Sequence, residues 1–283
     1  MTGGPPSPDA IDVPRVDLHT HSWFSDGEDD PDTLARIGIA SGVVAMALTD
    51  HDCLDGFEAF ARAAEGFEPV CGVEVSARRE ESDVHLIALF VSTEDERFRE
   101  RLAVLARHRE ERVPRMVEGL RAAGIPVTAE HVHRVSGRGT PGRPHVARAI
   151  VELGRARDVE DAFRRFLRPG LPGYVPKPGP PPEEAIRWVH EAGGVAVLAH
   201  PGPLGHDAWI PELAREGLDG IEVWHPRHRE RDRAAYARLA ESLDLVPSGG
   251  SDYHGPAVGD ARVGQEPVPE SALDRLRRRR PRP

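Results

Sequence analysis

The sequence has little of several residue types that mark particular classes of protein. Two cysteines, Cys53 and Cys71, are too few for a disulfide framework and do not form a zinc-binding pair. No apolar run approaches the roughly 18 residues that a membrane span needs, and residues 1–12 lack the apolar core of a signal peptide. We therefore expect a cytoplasmic protein that does not contact a membrane.

Asparagine is absent, and lysine and glutamine occur once each, as Lys177 and Gln265. This bias indicates a GC-rich genome rather than adaptation to extreme heat, which usually enriches lysine. Three common site motifs are missing as well, namely G-x-x-x-x-G-K-[ST], H-E-x-x-H and G-x-S-x-G. The sequence therefore gives no sign of a P-loop, a zincin or a serine hydrolase.

The chain has 283 residues, of which 39% are hydrophobic, enough for one barrel-sized domain with or without an insertion. Its formal net charge of −10 is unevenly distributed. Residues 97–168 contain 17 arginines against 9 acidic residues, an excess of eight positive charges, which leaves about −18 on the remainder. Two interpretations are open: the basic segment faces an anionic substrate, or it is an ordinary solvated helical surface.

Residue types that bind metals follow several short apolar runs. His19 and His21 come just after Val13 and Val16, and alternation along a strand would send both imidazoles to the same side. The pattern recurs at His51, Glu74, His200, His225 (after residues 221–224), Asp252 and His254. Because the carboxyl ends of strands in an α/β barrel open onto one face, these side chains should meet there. His85 precedes its apolar run, so we expect it on a returning strand beside Glu74.

The order of predicted elements indicates an α/β fold that is interrupted by a helical segment. Strands and helices alternate up to residue 93 and again from residue 174, whereas the pattern between them is helical, with a break at Pro114. We therefore divide the chain into a disordered tail (1–12), a barrel domain (13–93 and 174–270), an all-helical insertion (94–173) and a basic C-terminal tail (271–283). Residues 270–280 are either a short basic helix or a frayed end.

Nine candidate metal ligands emerge: His19, His21, Asp26, His51, Glu74, His85, His200, Asp252 and His254. They offer nitrogen and oxygen but no thiolate, a set that suits manganese, iron or zinc. Nine ligands are too many for one ion and fit two or three. Two ions about 3.5–4 Å apart can clamp a phosphoryl group while a metal-bound hydroxide attacks it, so no protein nucleophile is needed. For each residue alone, a buried structural histidine or a helix cap is the alternative.

The segments that carry this pattern resemble a known family. They are Asp17-Leu18-His19-Thr20-His21-Ser22, Ser25-Asp26-Gly27, Thr49-Asp50-His51-Asp52, Gly72-Val73-Glu74-Val75-Ser76, Leu198-Ala199-His200-Pro201 and Gly250-Ser251-Asp252-Tyr253-His254. They are similar to the motifs of the PHP (polymerase and histidinol phosphatase) superfamily. Three further segments resemble its branch of bacterial 3′,5′-nucleoside bisphosphate phosphatases and 5′→3′ exoribonucleases of the RNase AM type: Arg143-Pro144-His145, Gly173-Tyr174-Val175-Pro176 and Gly220-Ile221-Glu222-Val223.

The resemblance implies a distorted (β/α)7 TIM-like barrel with a trinuclear metal site, often containing manganese, and a helical insertion that closes over it. Carried over to this sequence, the three ligand sets would be His19, His21, Glu74 and Asp252; Asp26, His51 and His254; and Glu74, His85 and His200. Arg143 stands where a phosphate-binding arginine is expected, and a structural arginine in a turn is the alternative. Arg134, Ser136 and Arg138 are further candidates for binding the substrate.

We therefore expect a metal-dependent phosphoesterase that acts on a phosphorylated nucleotide or short RNA, either a nucleoside 3′,5′-bisphosphate or the 5′ end of an oligoribonucleotide. A histidinol-phosphate phosphatase or another small phosphomonoesterase is the first alternative. The second, from a different class, is a non-catalytic RNA-binding or polymerase-associated module. The sequence indicates no protein partner.

Overall fold

The structure is a computed structural model that describes residues 14–256 and 258–281. The predicted disordered tail at residues 1–12 lies outside these residues. Seven strands form one sheet in sequence order. They are β1 Val16–Asp17, β2 Ala45–Leu48, β3 Glu68–Arg79, β4 Ser82–Leu89, β5 Val195–Leu198, β6 Gly220–Trp224 and β7 Val246–Gly249. Neighbouring strands pair in parallel, except that β4 runs antiparallel to both β3 and β5.

The sheet closes back on itself beyond β7. The Leu18 amide donates to the Gly249 carbonyl at 3.2 Å, and the Asp252 amide donates to the His19 carbonyl at 2.9 Å. These bonds join the last strand to the first, so the sheet forms a nearly closed barrel. The predicted distorted TIM-like barrel is thereby confirmed, and the reversed direction of β4 is its main distortion.

The helices either pack around the barrel or belong to the segment that separates its two halves in the sequence. They are α1 Pro31–Ser41, α2 Phe57–Ala63, α3 Glu96–Glu111, α4 Val113–Ala122, α5 Ala129–Ser136, α6 Arg143–Glu152, α7 Val159–Ala162, α8 Pro182–Glu191, α9 Pro201–Leu204, α10 Ile210–Arg215, α11 Glu230–Ser242 and α12 Glu270–Arg279, with a π-helical turn at Phe163–Leu167 and a 3₁₀ turn at Asp207–Trp209. Among the residues described, no helix is both long and apolar enough to cross a membrane. A cytoplasmic location stays a prediction.

Alternation along the strands separates the barrel interior from its outer layer. On β3, Val70 and Glu74 share the inner face, and Val70 belongs to an apolar cluster with Ile87 of β4. Glu74 lies directly opposite Ile87, which places His85 on the same inner face, near Glu74. The end of the barrel near Val70 is therefore filled by apolar side chains, whereas the polar side chains lie at the opposite end, near Glu74 and His85.

The structure decides between the two alternatives for the C-terminal residues, a short basic helix and a frayed end. Residues 271–279 belong to helix α12 rather than to a basic tail, and Ala272, Leu273 and Leu276 are buried in the cluster that fills the barrel interior. These three apolar positions lie on one helical face, between arginines that face outward. The high density of arginine conceals this short amphipathic pattern in the sequence.

The helical segment at residues 94–173 contains no strand, as predicted. Helix α3 ends at Glu111 and α4 begins at Val113, with Pro114 in the first turn of α4, where its missing N–H costs no hydrogen bond. Phe98, Leu102 and Leu105 of α3 pack against the barrel. The separate apolar core of the insertion starts only at α4 and runs to the π-helical turn.

Candidate metal centre

Glu74 lies at the centre of the polar end of the barrel and is almost completely buried. Imidazole nitrogens of five histidines lie within 3.4 Å of its carboxylate oxygens: His19, His21 and His51 at Oε2, and His85 and His200 at Oε1. Burial opposes the charged form of this carboxylate, but the surrounding histidines, above all His51 and His85, keep the pKa of Glu74 well below its usual range.

His19, His21 and Asp252 form one group beside Glu74. The Nε2 atoms of His19 and His21 lie 3.0 Å apart, and Asp252 Oδ1 lies 3.3 and 3.5 Å from them. Both rings are fully buried, and the two Nε2 atoms point at a common centre with a carboxylate oxygen. This is the first of the three predicted ligand sets.

Asp26, His51 and His254 form a second group. His254 Nε2 lies 3.3 Å from Asp26 Oδ1, and His51 Nε2 lies 3.6 Å from Asp26 Oδ2. Both carboxylate oxygens of Asp26 are buried, and neither has a hydrogen-bond partner in the part of the chain that the structure describes. A buried carboxylate without a hydrogen bond is costly unless a cation compensates it, so this group fits a bound metal ion.

His85 and His200 complete the third group at Glu74 Oε1, at 2.8 and 3.0 Å. His200 has a φ of 28°, an uncommon value for a non-glycine residue, at the point where β5 gives way to α9. The structure thus brings together all nine predicted ligands, although their binding of metal stays a prediction.

The donor set itself indicates which ions the centre could hold. Four groups of histidine, aspartate and glutamate side chains each place one potential ligand atom per residue within 4.8 Å of the others. The atoms are imidazole nitrogens and carboxylate oxygens, which suit manganese, iron or zinc. Shared members, such as His21 and His51, link the groups into one cluster that could hold more than one ion.

Glu222 and His225 belong to this centre but were not among the predicted ligands. Glu222 Oε1 lies 2.9 Å from His19 Nδ1, and its Oε2 accepts a 2.7 Å hydrogen bond from the His200 amide. His225 Nε2 lies 3.3 Å from Asp252 Oδ2. Alternation along β6 places Glu222 on the inner face of the strand, and this alternation is visible in the sequence. Glu222 orients the imidazole of His19, as second partners of metal-binding histidines commonly do.

We expect Glu222→Gln to weaken metal binding or activity by about 10- to 100-fold, the usual effect of removing such a partner. Glutamine lacks the charge and the second acceptor that hold His19 and the His200 backbone. Titration of activity against added Mn²⁺ measures the effect, and exposed Glu216 provides the matched control, Glu216→Gln. Equal Mn²⁺ dependence in the variant and the wild type would show that Glu222 does not position His19.

A cavity of about 190 Å³ opens directly above the predicted ligands. Five cationic side chains line it: Arg109, Arg112, Arg143, Lys177 and the largely exposed Arg227. Arg109, Arg112 and Lys177 are only 3–5% exposed. The Nε atoms of both Arg109 and Arg112 are buried and have no hydrogen-bond partner among the described residues. Burial lowers the pKa of Lys177 to about 7 and that of Arg112 to about 9, and neighbouring guanidinium groups act in the same direction.

Two carboxylates counter this cationic wall. Asp52 Oδ2 accepts hydrogen bonds from Lys177 and from Arg109, each at 3.2 Å. Asp83 accepts one from Arg143 at 2.6 Å. Even without the exposed Arg227, four cations against these two carboxylates leave an excess of positive charge beside the predicted metal ligands, which suits an anionic ligand.

The predicted substrate-binding residues have different locations. Arg143 lines the cavity beside the predicted metal ligands. Arg134, Ser136 and Arg138 are not among the described residues that line it. Arg134 is largely exposed and ion-paired, the Ser136 hydroxyl donates to a backbone carbonyl, and the Arg138 guanidinium lies 5.2 Å from the centre of the Trp23 ring.

Comparisons with known proteins agree with this geometry. The model of the PHP domain family matches residues 17–120. The chain is 36% identical over 258 residues to a 3′,5′-nucleoside bisphosphate phosphatase of Chromobacterium violaceum, covering 88% of this chain and 90% of that protein. It is 34% identical over 249 residues to the 5′-3′ exoribonuclease Rnm of Escherichia coli, covering 85% of each.

A solved structure from Bifidobacterium adolescentis is similar over most of its length. Its description makes it a candidate metal-dependent phosphoesterase, and it superimposes with a TM-score of 0.86 at 32% identity, covering 94% of this chain and 96% of that one. The resemblance noted in the sequence is confirmed. The chain belongs to the PHP domain family, among its bacterial hydrolases of phosphoester bonds.

Proposed function

We propose that this chain hydrolyses phosphoesters of nucleotides, with two or three divalent ions, manganese first among them, bound at the nine predicted ligands. The observation that carries the proposal is the convergence of five imidazoles on Glu74, directly beneath a cavity lined by buried cations. Divalent ions bound in such a site polarise phosphoryl oxygens and activate water.

The side chains around the cavity support hydrolysis without a protein nucleophile. No serine, threonine or cysteine is found among the described residues that line it. Burial raises the pKa of both Cys53 and Cys71 to about 12, so neither thiol is a thiolate at neutral pH. Arg143 and Lys177 line the cavity and are placed to bind phosphoryl oxygens. The carboxylate of Glu74 holds the surrounding imidazoles in position.

The cationic wall favours a substrate with a second phosphate. Arg109, Arg112 and Lys177 lie deep beside the predicted metal ligands, and a single reacting phosphoryl group next to divalent ions does not require all of them. A nucleoside 3′,5′-bisphosphate carries two phosphates, and the Chromobacterium violaceum relative is named for that substrate. We therefore place this substrate first.

A short RNA is the second candidate, because the site is not closed. The central cavity shares Phe163 and Arg227 with two flanking clefts of about 550 and 810 Å³. A nucleotide chain that continues beyond the reacting phosphate could leave through one of these clefts. The Escherichia coli relative is named a 5′-3′ exoribonuclease.

The test is an assay of the purified, Mn²⁺-loaded protein against a nucleoside 3′,5′-bisphosphate, a 5′-phosphorylated oligoribonucleotide and histidinol phosphate in parallel. We expect release of phosphate or of 5′ nucleotides from the first two and little turnover of the third. His19→Ala should be inactive on all of them. Inactivity of the wild type on every phosphoester, or full activity of His19→Ala, would contradict the proposal.

Metal content separates the enzyme from a non-catalytic binding module. After dialysis against metal-free buffer and reloading, the wild type should retain divalent ions in stoichiometric amounts. A non-catalytic binding module with the same fold should retain no divalent ions.

A further inference from the structure

Phe163 has an unusual position for a large apolar side chain. It begins the π-helical turn at Phe163–Leu167 and is only half-buried, although Ala162 before it and Leu167 in the same turn are buried in the core of the insertion. Those two neighbours fix the backbone on either side of the phenyl ring. Short π-helical turns are rare and occur often at functional sites.

One part of the ring packs against the apolar core of the insertion, whereas the part that faces the cavity has charged neighbours. Phe163 lines the cavity above the predicted metal ligands, and it is the only phenylalanine, tyrosine or tryptophan among the described residues that do so. Arg143 and Arg227 line the same cavity. An apolar ring is a poor neighbour for bound phosphate and divalent ions, so its role is best sought in an uncharged part of the ligand.

The ring also stands at the junction of three spaces. Besides the central cavity it lines both flanking clefts. The cleft on the side of β6 and β7 is bounded by Pro144, Val159 and Pro226, and so offers apolar surface next to the predicted metal ligands Asp252 and His254. A flat group attached to a phosphorylated sugar in the central cavity would reach this junction first.

We propose that Phe163 stacks on the nucleobase of the substrate and makes the enzyme selective for nucleotides over phosphorylated sugars without a base. The proposal rests on the proposed function, since it concerns the same reaction. Every nucleobase has a flat face, so stacking on one ring accepts different bases. The phosphates are bound by the cationic wall and the base by Phe163, so the two parts of the substrate are recognised separately.

The experiment compares Phe163→Ala with the wild type on two substrates. One is a nucleoside 3′,5′-bisphosphate, and the other is its abasic analogue, a tetrahydrofuran 3′,5′-bisphosphate with the same two phosphates. We expect kcat/KM to fall about 5- to 150-fold on the nucleotide, the usual effect of removing a stacking ring. On the abasic analogue, kcat/KM should change less than about twofold, because the analogue has no base for the ring to contact. A change of that size is within the scatter found for independent sites. Phe163→Tyr should restore turnover of the nucleotide.

Phe166 provides the matched control. It lies in the same turn, packs against the same core and carries the Arg165 guanidinium 4.7 Å from its ring centre, but it does not line the central cavity. Phe166→Ala should therefore lower kcat/KM by the same factor on both substrates, or leave it unchanged on both. Isothermal titration with the product nucleoside monophosphate gives a second readout, in which Phe163→Ala should bind more weakly.

Three results would overturn the inference: an equal loss on both substrates, unchanged turnover of the nucleotide, or a Phe166→Ala variant with the same selectivity as Phe163→Ala. Failure of the proposed function has a different signature, because the wild type itself would then turn over neither bisphosphate.

Discussion

Glu74→Gln is expected to lower kcat/KM on any phosphoester substrate by at least about 10³-fold, beyond the 10- to 100-fold typical of residues that only support a ligand. Glutamine keeps the shape of the side chain but lacks the negative charge that two carboxylate oxygens present to five imidazoles. Without that charge, divalent ions in the cluster would repel one another, and the histidines would lose their common partner. Steady-state kinetics with excess Mn²⁺ and metal analysis after dialysis measure the two consequences.

The control for this variant is again Glu216→Gln, which exchanges an exposed glutamate and should match the wild type in both measurements. Circular dichroism should show that Glu74→Gln keeps its secondary structure. A folded Glu74→Gln protein with wild-type activity and metal content would show that the centre does not depend on its central carboxylate.

Asp52→Asn is expected to destabilise the protein by about 3–5 kcal/mol, the usual cost of removing one partner from a buried ion pair. The Asp52 carboxylate is fully buried and accepts hydrogen bonds from the Ser76 amide and hydroxyl, each at 2.7 Å. It also pairs with Arg109 and Lys177. Burial opposes its charge, but Lys177 and Arg109 outweigh that effect and hold its pKa well below the usual range. Asparagine would leave both cations buried without a carboxylate.

Urea unfolding of the variant and the wild type measures this difference. Asp55→Asn is the matched control, because Asp55 is largely exposed and its pair with Arg99 at 3.1 Å is a surface ion pair. We expect that control to change the free energy of unfolding by no more than ~1 kcal/mol. Equal stabilities for Asp52→Asn and Asp55→Asn would mean that the cationic wall does not depend on its carboxylate.

Local sequence signals predicted much of the fold because they act within a few residues. Asp30 caps α1 by accepting a hydrogen bond from the Thr33 amide, and Gly42 ends that helix with a φ of 71°. Most of the ligands could be predicted for a related reason: they follow short apolar runs, and the barrel directs the ends of those runs to one face. His85 was predicted on a returning strand, and the antiparallel pairing of β4 with β3 places it there.

The individual residues of the cationic wall could not be predicted in this way, although Arg109, Arg112 and Arg143 lie in the basic segment for which an anionic substrate was one of the two interpretations. Arg109, Lys177 and Asp52 come from a helix, a loop and a strand end that are far apart in the sequence, and nothing local links them. The sequence interpretation selected arginines near the Arg143 motif instead, of which Arg143 alone lines the cavity. Likewise, the sequence left both a short helix and a frayed tail open for residues 270–280, because the buried face of α12 is narrow and its arginines dominate the composition.

Side chains from separate strands converge at one end of the barrel, and we propose that they bind a cluster of divalent ions. Crystals of the Mn²⁺-loaded protein, measured at the manganese absorption edge, test this binding directly. We expect two or three anomalous peaks among the nine predicted ligands, with at least one peak at bonding distance from a Glu74 oxygen. Anomalous density only at surface carboxylates, with none between His19, Glu74 and Asp252, would contradict it.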